Sequence, residues 1–115
     1  MKKIATLKKN YEFKNVIQKG KFYIGKQIIV YLVPNHIDKN VLGIAIYTKL
    51  AKAVKRNRVK RLIRENYRVI NRNLKQGYNI VFLWNKKEDI ANANFYKIKE
   101  DMQYIFSKNG LLEKK

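Results

Sequence analysis

The sequence predicts an α+β fold in which helices pack against a small sheet within one domain. With 115 residues, the chain is long enough for one domain with one modest core. Segments of helical periodicity and runs of β-branched residues follow one another in the order α-β-β-α-β-α. No internal repeat or Gly/Ser-rich linker divides them. We therefore expect a single-domain α-β-sandwich formed by residues 1–115.

The first predicted helix follows a basic segment, residues 1–9, which we expect to be a partly mobile arm. Asn10 is a favourable cap residue and Gly20 a favourable stop, so the helix is predicted to run from Asn10 to about Lys19. Residues 21–25 are predicted to be irregular or to form a short extra strand.

Two strands follow, and we expect them to form an antiparallel pair. Residues 27–33 are rich in β-branched side chains, which favour strands. Alternation places the even-numbered side chains of this strand on one face and Tyr31 with the odd-numbered ones on the other. A polar turn, residues 34–40, connects this strand to a second one predicted over residues 41–48.

A basic helix and a third strand occupy the next part of the chain. The helix is predicted to start between Lys52 and Asn57 and to run to about Lys75, because Gln76-Gly77 is a helix stop. Residues 78–84 are rich in β-branched and aromatic side chains and are predicted to form a strand.

The last element is predicted to be an amphipathic helix after a polar loop at residues 85–93. Asn94 can cap its start, and Asn109-Gly110 can end it. Five apolar side chains recur at helical spacing and predict the buried stripe of this helix. They are Phe95, Ile98, Met102, Ile105 and Phe106.

The basic helix separates its charges from its apolar side chains. At about 100° per residue, six polar side chains fall within a sector about 140° wide, while Leu62, Val69 and other apolar residues fill much of the opposite side. With 27 Lys and Arg against 8 Asp and Glu, the chain has a formal charge of +19. A rigid basic array on such a chain is typical of a phosphate-binding surface, with a solvated helix as the alternative. The six side chains are Arg56, Asn57, Lys60, Arg61, Arg64 and Arg68.

The sequence does not contain the residues of a protein-based active site. His36 is the only histidine and Ser107 the only serine, and there is no cysteine. The adjacent carboxylates Glu88-Asp89 and Glu100-Asp101 lack the spacing that directs two oxygens at one ion. There is no Gly-rich phosphate loop. We expect no catalytic residue, no metal ligand from the protein alone, and an ordinary surface position for His36.

The chain also lacks the signals of a membrane protein. No apolar run reaches about 18 residues, the length that marks a transmembrane helix, and the N-terminus has no signal-peptide core. We therefore expect a cytoplasmic protein with no membrane partner.

The aromatic residues can stack on single-stranded bases or pack in the core. Helical and strand periodicity favours core packing for Phe82, Phe95 and Phe106. For Phe13 and Tyr31, periodicity leaves both uses open.

The charge pattern leaves four classes of protein open. A subunit of a ribonucleoprotein enzyme and a structural RNA-binding protein, such as a ribosomal protein, explain size and charge equally well. A DNA-binding regulator would need a second short helix upstream of the basic helix, where a strand is predicted instead. A membrane-surface helix is the weakest alternative, because the apolar residues are needed for the core.

Residues 53–64 contain the run Ala-Val-Lys-Arg-Asn-Arg-Val-Lys-Arg-Leu-Ile-Arg. This run resembles the Ala-Val-x-Arg-Asn-x-x-Lys-Arg-x-x-Arg signature of the bacterial ribonuclease P protein subunit and matches every defined position. The basic character of a helix does not by itself explain Asn57 or the Ala-Val pair, so the signature favours this family over a ribosomal protein. The similarity extends to the first helix, the strand with Tyr31, Gly43 and the last helix.

The resemblance implies a fold and a function. The fold is like domain 2 of ribosomal protein S5, with an unusual left-handed β-α-β crossover through the basic helix. The protein is then a subunit of an endoribonuclease whose catalytic centre is RNA, and it is inactive alone. The partners are the catalytic RNA subunit, at one protein per RNA, and precursor tRNA, whose 5′ leader is removed. The cofactor is Mg²⁺, bound mainly by the RNA.

The resemblance also implies two groups of RNA-binding residues, each transferred by position. A cleft between the first helix and the sheet holds the single-stranded leader and is lined by Phe13, Ile17 and Tyr31. The basic signature faces the catalytic RNA. It comprises Lys49, Lys52, Arg56, Asn57, Arg58, Lys60, Arg61, Arg64 and Arg68.

Four positions depart from the family pattern. Ala51 replaces a common glycine; if that glycine needs positive φ, Ala51 must either take a different local path or carry strain. Tyr47 replaces a common serine, and Ile17 a common aromatic residue, which leaves only apolar contact there. Leu83-Trp84 replaces an Ala-Arg pair, so that a basic contact is lost and Trp84 either packs or stacks.

Overall fold

A four-stranded sheet with helices on both faces forms the structure, a computed structural model that describes residues 4–113. The predicted α+β class is confirmed, and residues 21–24 do form the extra strand. In chain order the elements are α1 (Asn10–Lys19), β1 (Lys21–Ile24), β2 (Ile28–Pro34), β3 (Val41–Ala45), α2 (Ala53–Ile70), β4 (Tyr78–Trp84) and α3 (Phe95–Lys108).

The strand order β1-β2-β4-β3 corrects one predicted pairing. β4 lies between β2 and β3, antiparallel to β2 and parallel to β3, so the expected antiparallel pair of β2 and β3 is wrong. Ile80, Val81 and Phe82 are fully buried, as is typical of a central strand covered on both faces. The left-handed sense of the β3-α2-β4 crossover stays a prediction of the resemblance.

The two faces of the sheet have separate cores. Even-numbered side chains of β2 and β4, such as Val30 and Phe82, pack with α2 and α3 in the main core. Val81, on the opposite face, packs with Val16 of α1 and with Leu7. The sheet therefore has one face fully covered by two helices and another covered by α1 alone.

The basic helix ends five residues earlier than predicted, at Ile70 rather than Lys75. Asn71 explains the end, because its Oδ1 accepts hydrogen bonds from Tyr67 Oη at 3.2 Å and from Asn40 Nδ2 at 3.1 Å. This side chain attaches the end of the helix to the loop before β3. The chain then turns and buries Leu74, which pairs with Leu112 in an isolated bridge.

The start of α1 also differs from the prediction. Lys9 is the N-cap, and Asn10 is already helical. The Glu12 carboxylate accepts hydrogen bonds from the backbone N–H groups of Lys8 at 3.1 Å and Lys9 at 2.9 Å, and so supplies partners for backbone donors at the start of the helix. Asn94, by contrast, caps α3 as predicted and accepts from two backbone N–H groups.

Part of the predicted mobile arm is attached to the sheet. The backbone N–H of Leu7 donates to Leu42 O at 2.8 Å, and Leu42 N donates to Ala5 O at 2.8 Å. Leu7 is buried under α1. Residues 5–7 are therefore attached to the edge of β3, while the partial mobility expected of residues 1–9 stays a prediction; residues 1–3 lie outside the described range.

Candidate nucleic-acid interface

The cleft predicted for the RNA leader corresponds to the face of the sheet that α1 covers only in part. We call this surface the cleft face and define it by the side chains that lie on it outside or beside α1. They are Phe13, Ile17, Phe22, Ile29, Tyr31 and Leu83. The three residues transferred from the family, Phe13, Ile17 and Tyr31, therefore lie on the same side of the sheet.

Phe13 is held by close packing against β3. A Cβ atom built on Gly43 would lie only 2.7 Å from Phe13 Cε1 and 3.0 Å from Leu7 Cδ1. The absence of a side chain at Gly43 therefore lets the Phe13 ring approach the sheet. Phe13 is half-buried, so it contributes to the small core while keeping part of its ring exposed.

Tyr31 lies in an aromatic pair that the sequence analysis did not identify. Phe22 is its cross-strand neighbour, and the two ring centroids are 5.6 Å apart at an interplanar angle of 33°. Phe22 is 57% exposed and Tyr31 is half-buried, so the pair offers an apolar surface to solvent. Assigning residues 21–24 to a strand paired with β2 would have predicted that Phe22 lies on the same face as Tyr31, because side chains alternate along a strand.

Ile17 completes the α1 side of this face. It is 37% exposed, one helical turn beyond Phe13, while Val16 beside it is fully buried. Because Ile17 is aliphatic, it can contact a base but cannot stack on one. Three of the six side chains of the cleft face are therefore aromatic: Phe13, Phe22 and Tyr31.

The basic helix has the expected division between a buried and a charged side. Val59, Leu62 and Ile63 are buried, together with Asn66 and Tyr67, two polar residues that the sequence analysis did not place in the core. Val69, assigned to the apolar side, is instead 59% exposed. We call the opposite side the basic face; its exposed members are Asn57, Arg58, Arg61, Arg64 and Arg68.

Arg56 is hydrogen-bonded to two backbone carbonyls. Its Nη1 donates to Ala51 O at 2.6 Å and to Thr48 O at 3.0 Å. These carbonyls belong to the short turn Thr48–Leu50 and the residue after it. Arg56 therefore fixes the segment that joins β3 to α2, and only part of its guanidinium is free to meet a phosphate.

The remaining cations of the signature are largely available. Lys49 and Lys52 are exposed at the entry to α2, and Lys60 is half-buried. Within residues 4–113, Arg61 makes the one ion pair, with Glu65 at 3.9 Å. Both partners are well exposed, so this pair is weak and can exchange for a phosphate.

The acidic residues do not form a metal site. Among the described residues, no group of three His, Asp or Glu side chains is placed to hold an ion. The one buried carboxylate, Asp101, is occupied by backbone donors: Gln27 N at 2.7 Å, Lys26 N at 3.0 Å and Ile28 N at 3.2 Å. Its role is to attach the β1–β2 turn to α3.

Two of the positions that depart from the family pattern, Ala51 and Trp84, have ordinary structural roles. Ala51 has φ −169° and ψ 169°, an extended conformation that any residue adopts, so the expected strain is absent. Trp84 packs rather than stacks: it is 3% exposed, and its Nε1 donates to Glu88 O at 2.8 Å. Tyr47 is exposed beside Lys86.

His36 is exposed in the turn before β3, with φ 62°.

None of the helices within residues 4–113 is long and apolar enough to cross a bilayer.

Comparison with known proteins gives one consistent result. The family model described as Ribonuclease P matches residues 1–110. The ribonuclease P protein component of Caldanaerobacter subterraneus subsp. tengcongensis is 42% identical over 113 residues, which cover 98% of this chain and 96% of the relative. That of Natranaerobius thermophilus is 37% identical over 114 residues, with 99% and 97% covered.

Solved structures agree with the sequence relatives. The RNase P protein of Staphylococcus aureus superposes with a TM-score of 0.81 at 28% identity, covering 96% of this chain and 100% of that one. The RNase P protein of Thermotoga maritima gives a TM-score of 0.79 at 27% identity, with 90% and 96% covered.

Proposed function

The chain belongs to the ribonuclease P protein family, and from this premise we propose that it binds the catalytic RNA of ribonuclease P and the 5′ leader of precursor tRNA. In this proposal it assists the Mg²⁺-dependent endonucleolytic removal of the leader. The complex acts in the cytoplasm with one protein per RNA. The observation that carries the proposal is the combination of a rigid basic face on α2 with a separate, partly aromatic cleft face.

The basic face supports a contact with folded RNA. Its arginines stand on a helix whose other side is buried, so their spacing is held by the core rather than by a mobile tail. Planar guanidinium groups recognise phosphate with two parallel hydrogen bonds. A charge of +19 is most easily tolerated beside a polyanion.

The cleft face supports a contact with single-stranded RNA. Phe22 and Tyr31 form an exposed aromatic surface, and bases stack on such surfaces with little dependence on sequence. Duplex RNA keeps its bases stacked inside the helix, so this surface suits an unpaired leader better than mature tRNA.

The division of labour in the proposal leaves the chemistry to the RNA. Mg²⁺ prefers several oxygen ligands, and the described carboxylates are not grouped to supply them. We therefore assign the ions to RNA phosphates. The protein's part is to bind, to orient the leader and to lower the repulsion between phosphates brought close together.

The test is a cleavage assay with transcribed precursor tRNA at low magnesium. We expect no cleavage by the protein alone and none or little by the catalytic RNA alone, but accurate leader removal by the mixture. Raising the magnesium concentration should reduce the dependence on protein. Leader removal by rigorously RNA-free protein, lost on substitution of one of its acids, would contradict this proposal.

The leader contact is tested separately by Tyr31→Ala. We expect about a tenfold loss of affinity for precursor tRNA, because base–aromatic stacking contributes roughly 1–3 kcal/mol per base. Affinity for mature tRNA should change little. Phe13→Ala should also reduce affinity for precursor tRNA. Because Phe13 packs on Gly43, its thermal melting must be measured as well, to separate a lost leader contact from a loss of stability. Equal losses for both tRNAs would indicate unfolding rather than a lost leader contact.

A further inference from the structure

Tyr47 presents an exposed aromatic ring beside a cation, just past the end of β3. The ring is 54% exposed, and Lys86 Nζ lies 5.8 Å from its centroid. Lys86 follows β4, the strand that pairs with β3. The two side chains therefore meet where the adjacent parallel strands end, although they lie far apart in sequence.

The alternation of β3, continued through Ile46 past the end of the strand, directs Tyr47 toward the side of the sheet that carries the cleft face. Ile44 and Ile46 pack in the main core with α2 and α3. Val41 packs with the α1 cluster, and Gly43 lies under the Phe13 ring. Tyr47 lies two residues past the end of β3, and because Ile46 still packs in the main core, we infer that the Tyr47 side chain leaves the backbone toward the α1 side.

The backbone that carries Tyr47 is held in place from α2. Tyr47 O accepts the N–H of Leu50 at 3.1 Å, which closes the short turn Thr48–Leu50. Arg56 fixes the same turn through its hydrogen bonds to Thr48 O and Ala51 O. A ring on a fixed turn loses less conformational entropy when a ligand stacks on it than a ring on a mobile loop.

We propose that Tyr47 and Lys86 form a nucleotide-binding subsite for one unpaired nucleotide of the RNA leader. The base stacks on the open side of the Tyr47 ring, and the Lys86 ammonium contacts a flanking phosphate. This inference rests on the proposed function, because it assigns one position of the leader to a particular pair of side chains.

The location of the pair suits a strand that passes from the cleft face to the basic face. Tyr47 stands in the segment between β3, which carries Gly43 under Phe13, and α2, which carries the basic face. Phe22 lies on β1 at the opposite edge of the sheet, with Tyr31 beside it on β2, and β1 and β3 are about 14 Å apart at the usual strand spacing. Several nucleotides are needed to connect the two aromatic sites.

The structure offers a matched control pair. Lys108 Nζ lies 5.5 Å from the centroid of the Tyr104 ring, which is 60% exposed, so exposure and geometry resemble those of Tyr47 and Lys86. The control pair is on α3, which packs against the other face of the sheet. Tyr104 and Lys108 line a groove with Phe22 and Ile24 at the β1 edge, so Tyr104→Ala removes a comparable pair that is distant from the ends of β3 and β4.

The experiment measures binding of precursor tRNAs to the reconstituted complex of protein and catalytic RNA, using leaders of graded length and leaders with one abasic position at a time. We expect Tyr47→Ala to weaken binding about tenfold, but only when the leader reaches the subsite. Tyr47→Phe should retain most of the affinity. Any effect of Tyr104→Ala, which borders Phe22, should not depend on the leader nucleotide that Tyr47 contacts. Lys86→Gln should flatten the salt dependence by about one unit.

The abasic leaders locate the nucleotide. At one position, removal of the base should weaken wild-type binding and abolish the difference between wild type and Tyr47→Ala. The inference is overturned if Tyr47→Ala behaves like Tyr104→Ala, or if its loss persists with leaderless tRNA, which indicates a contact with the catalytic RNA. If wild type itself shows no preference for a leader, the proposed function fails rather than this subsite alone.

Discussion

Gly43 is a residue of β3 whose missing side chain leaves room for the Phe13 ring of α1. Its φ is not in the left-handed region, so alanine is compatible with the backbone and only steric contact opposes it. A Cβ at this position would lie 2.7 Å from the Phe13 ring. Gly43 therefore decides how deeply the Phe13 ring sits against β3.

Gly43→Ala is expected to lower the free energy of unfolding by about 1–3 kcal/mol, the usual cost of overpacking. Urea denaturation measures this loss. In a Phe13→Leu background the same substitution should cost less, because the smaller side chain can give way. Additive losses in the double variant would show that the ring is not the obstacle.

Tyr67 is the buried phenol of the basic helix, and burial raises its pKa well above the usual value of about 10. The Tyr67 ring contacts Phe82 edge to face at a centroid distance of 5.8 Å, and its hydroxyl donates to Asn71 Oδ1. Below pH 10 the phenol is protonated in both folded and unfolded chains. Above pH 10 only the unfolded chain ionises, which favours unfolding.

Stability should therefore fall by about 1.4 kcal/mol for each pH unit above pH 10 through Tyr67 alone. Lysines and other tyrosines also titrate there, so the informative quantity is the difference from Tyr67→Phe. That variant should be less stable at neutral pH, because it loses the hydroxyl hydrogen bond, but its stability should fall less steeply at high pH. Parallel curves would contradict the assignment.

At the scale of elements, α3 holds the β1–β2 turn through Asp101. Its carboxylate accepts three successive backbone N–H groups, those of residues 26–28. Gly25 makes room for it, since a Cβ there would lie 2.6 Å from Asp101 Cγ. Because β1 is an edge strand that pairs only with β2, this attachment also supports the position of Phe22 on the cleft face.

Asp101→Asn is expected to lower the free energy of unfolding by about 2–3 kcal/mol, because the amide replaces a charged acceptor and turns an NH₂ group toward backbone donors. The neighbouring Glu100 is exposed, so Glu100→Gln is the matched control and should change stability by less than about 0.5 kcal/mol. Urea denaturation of both variants distinguishes them. Equal effects would mean that Asp101 contributes little as an anion.

For the whole molecule, the charge of +19 makes salt act in opposite directions on folding and on binding. Screening relieves repulsion within the free protein, so its melting temperature should rise with salt. Binding to the catalytic RNA releases counterions, so log affinity should fall against log salt with a slope of several units. An affinity that does not change with salt concentration would argue against phosphate recognition.

Arg64→Ala should flatten that slope by about one unit and leave the melting temperature nearly unchanged, because Arg64 is exposed. Lys97→Ala on α3 removes an exposed cation outside the basic face and should change the slope less. Filter binding over a salt series measures both. If the two variants have the same slope, the RNA contact is not concentrated on α2.

The sequence by itself determined the features that depend on near neighbours. The separation of charged and apolar sides on α2, the Asn94 cap of α3 and the alternation of β2 were all predicted, because each arises from residues within a turn or two along the chain. The family signature in residues 53–64 also belongs to this class, since it is one continuous run. The family assignment followed from it and is confirmed.

Only the tertiary structure decided which distant residues meet. Asp101 and Lys26, 75 residues apart, form one contact, and Tyr47 and Lys86 form another. β4 inserts between β2 and β3, which a local pattern could not show. The physical reason is that strand periodicity specifies which face a side chain occupies but not which strand lies beside it. Strand pairing depends on how α2 returns the chain to the sheet and on which apolar surfaces can then be buried together.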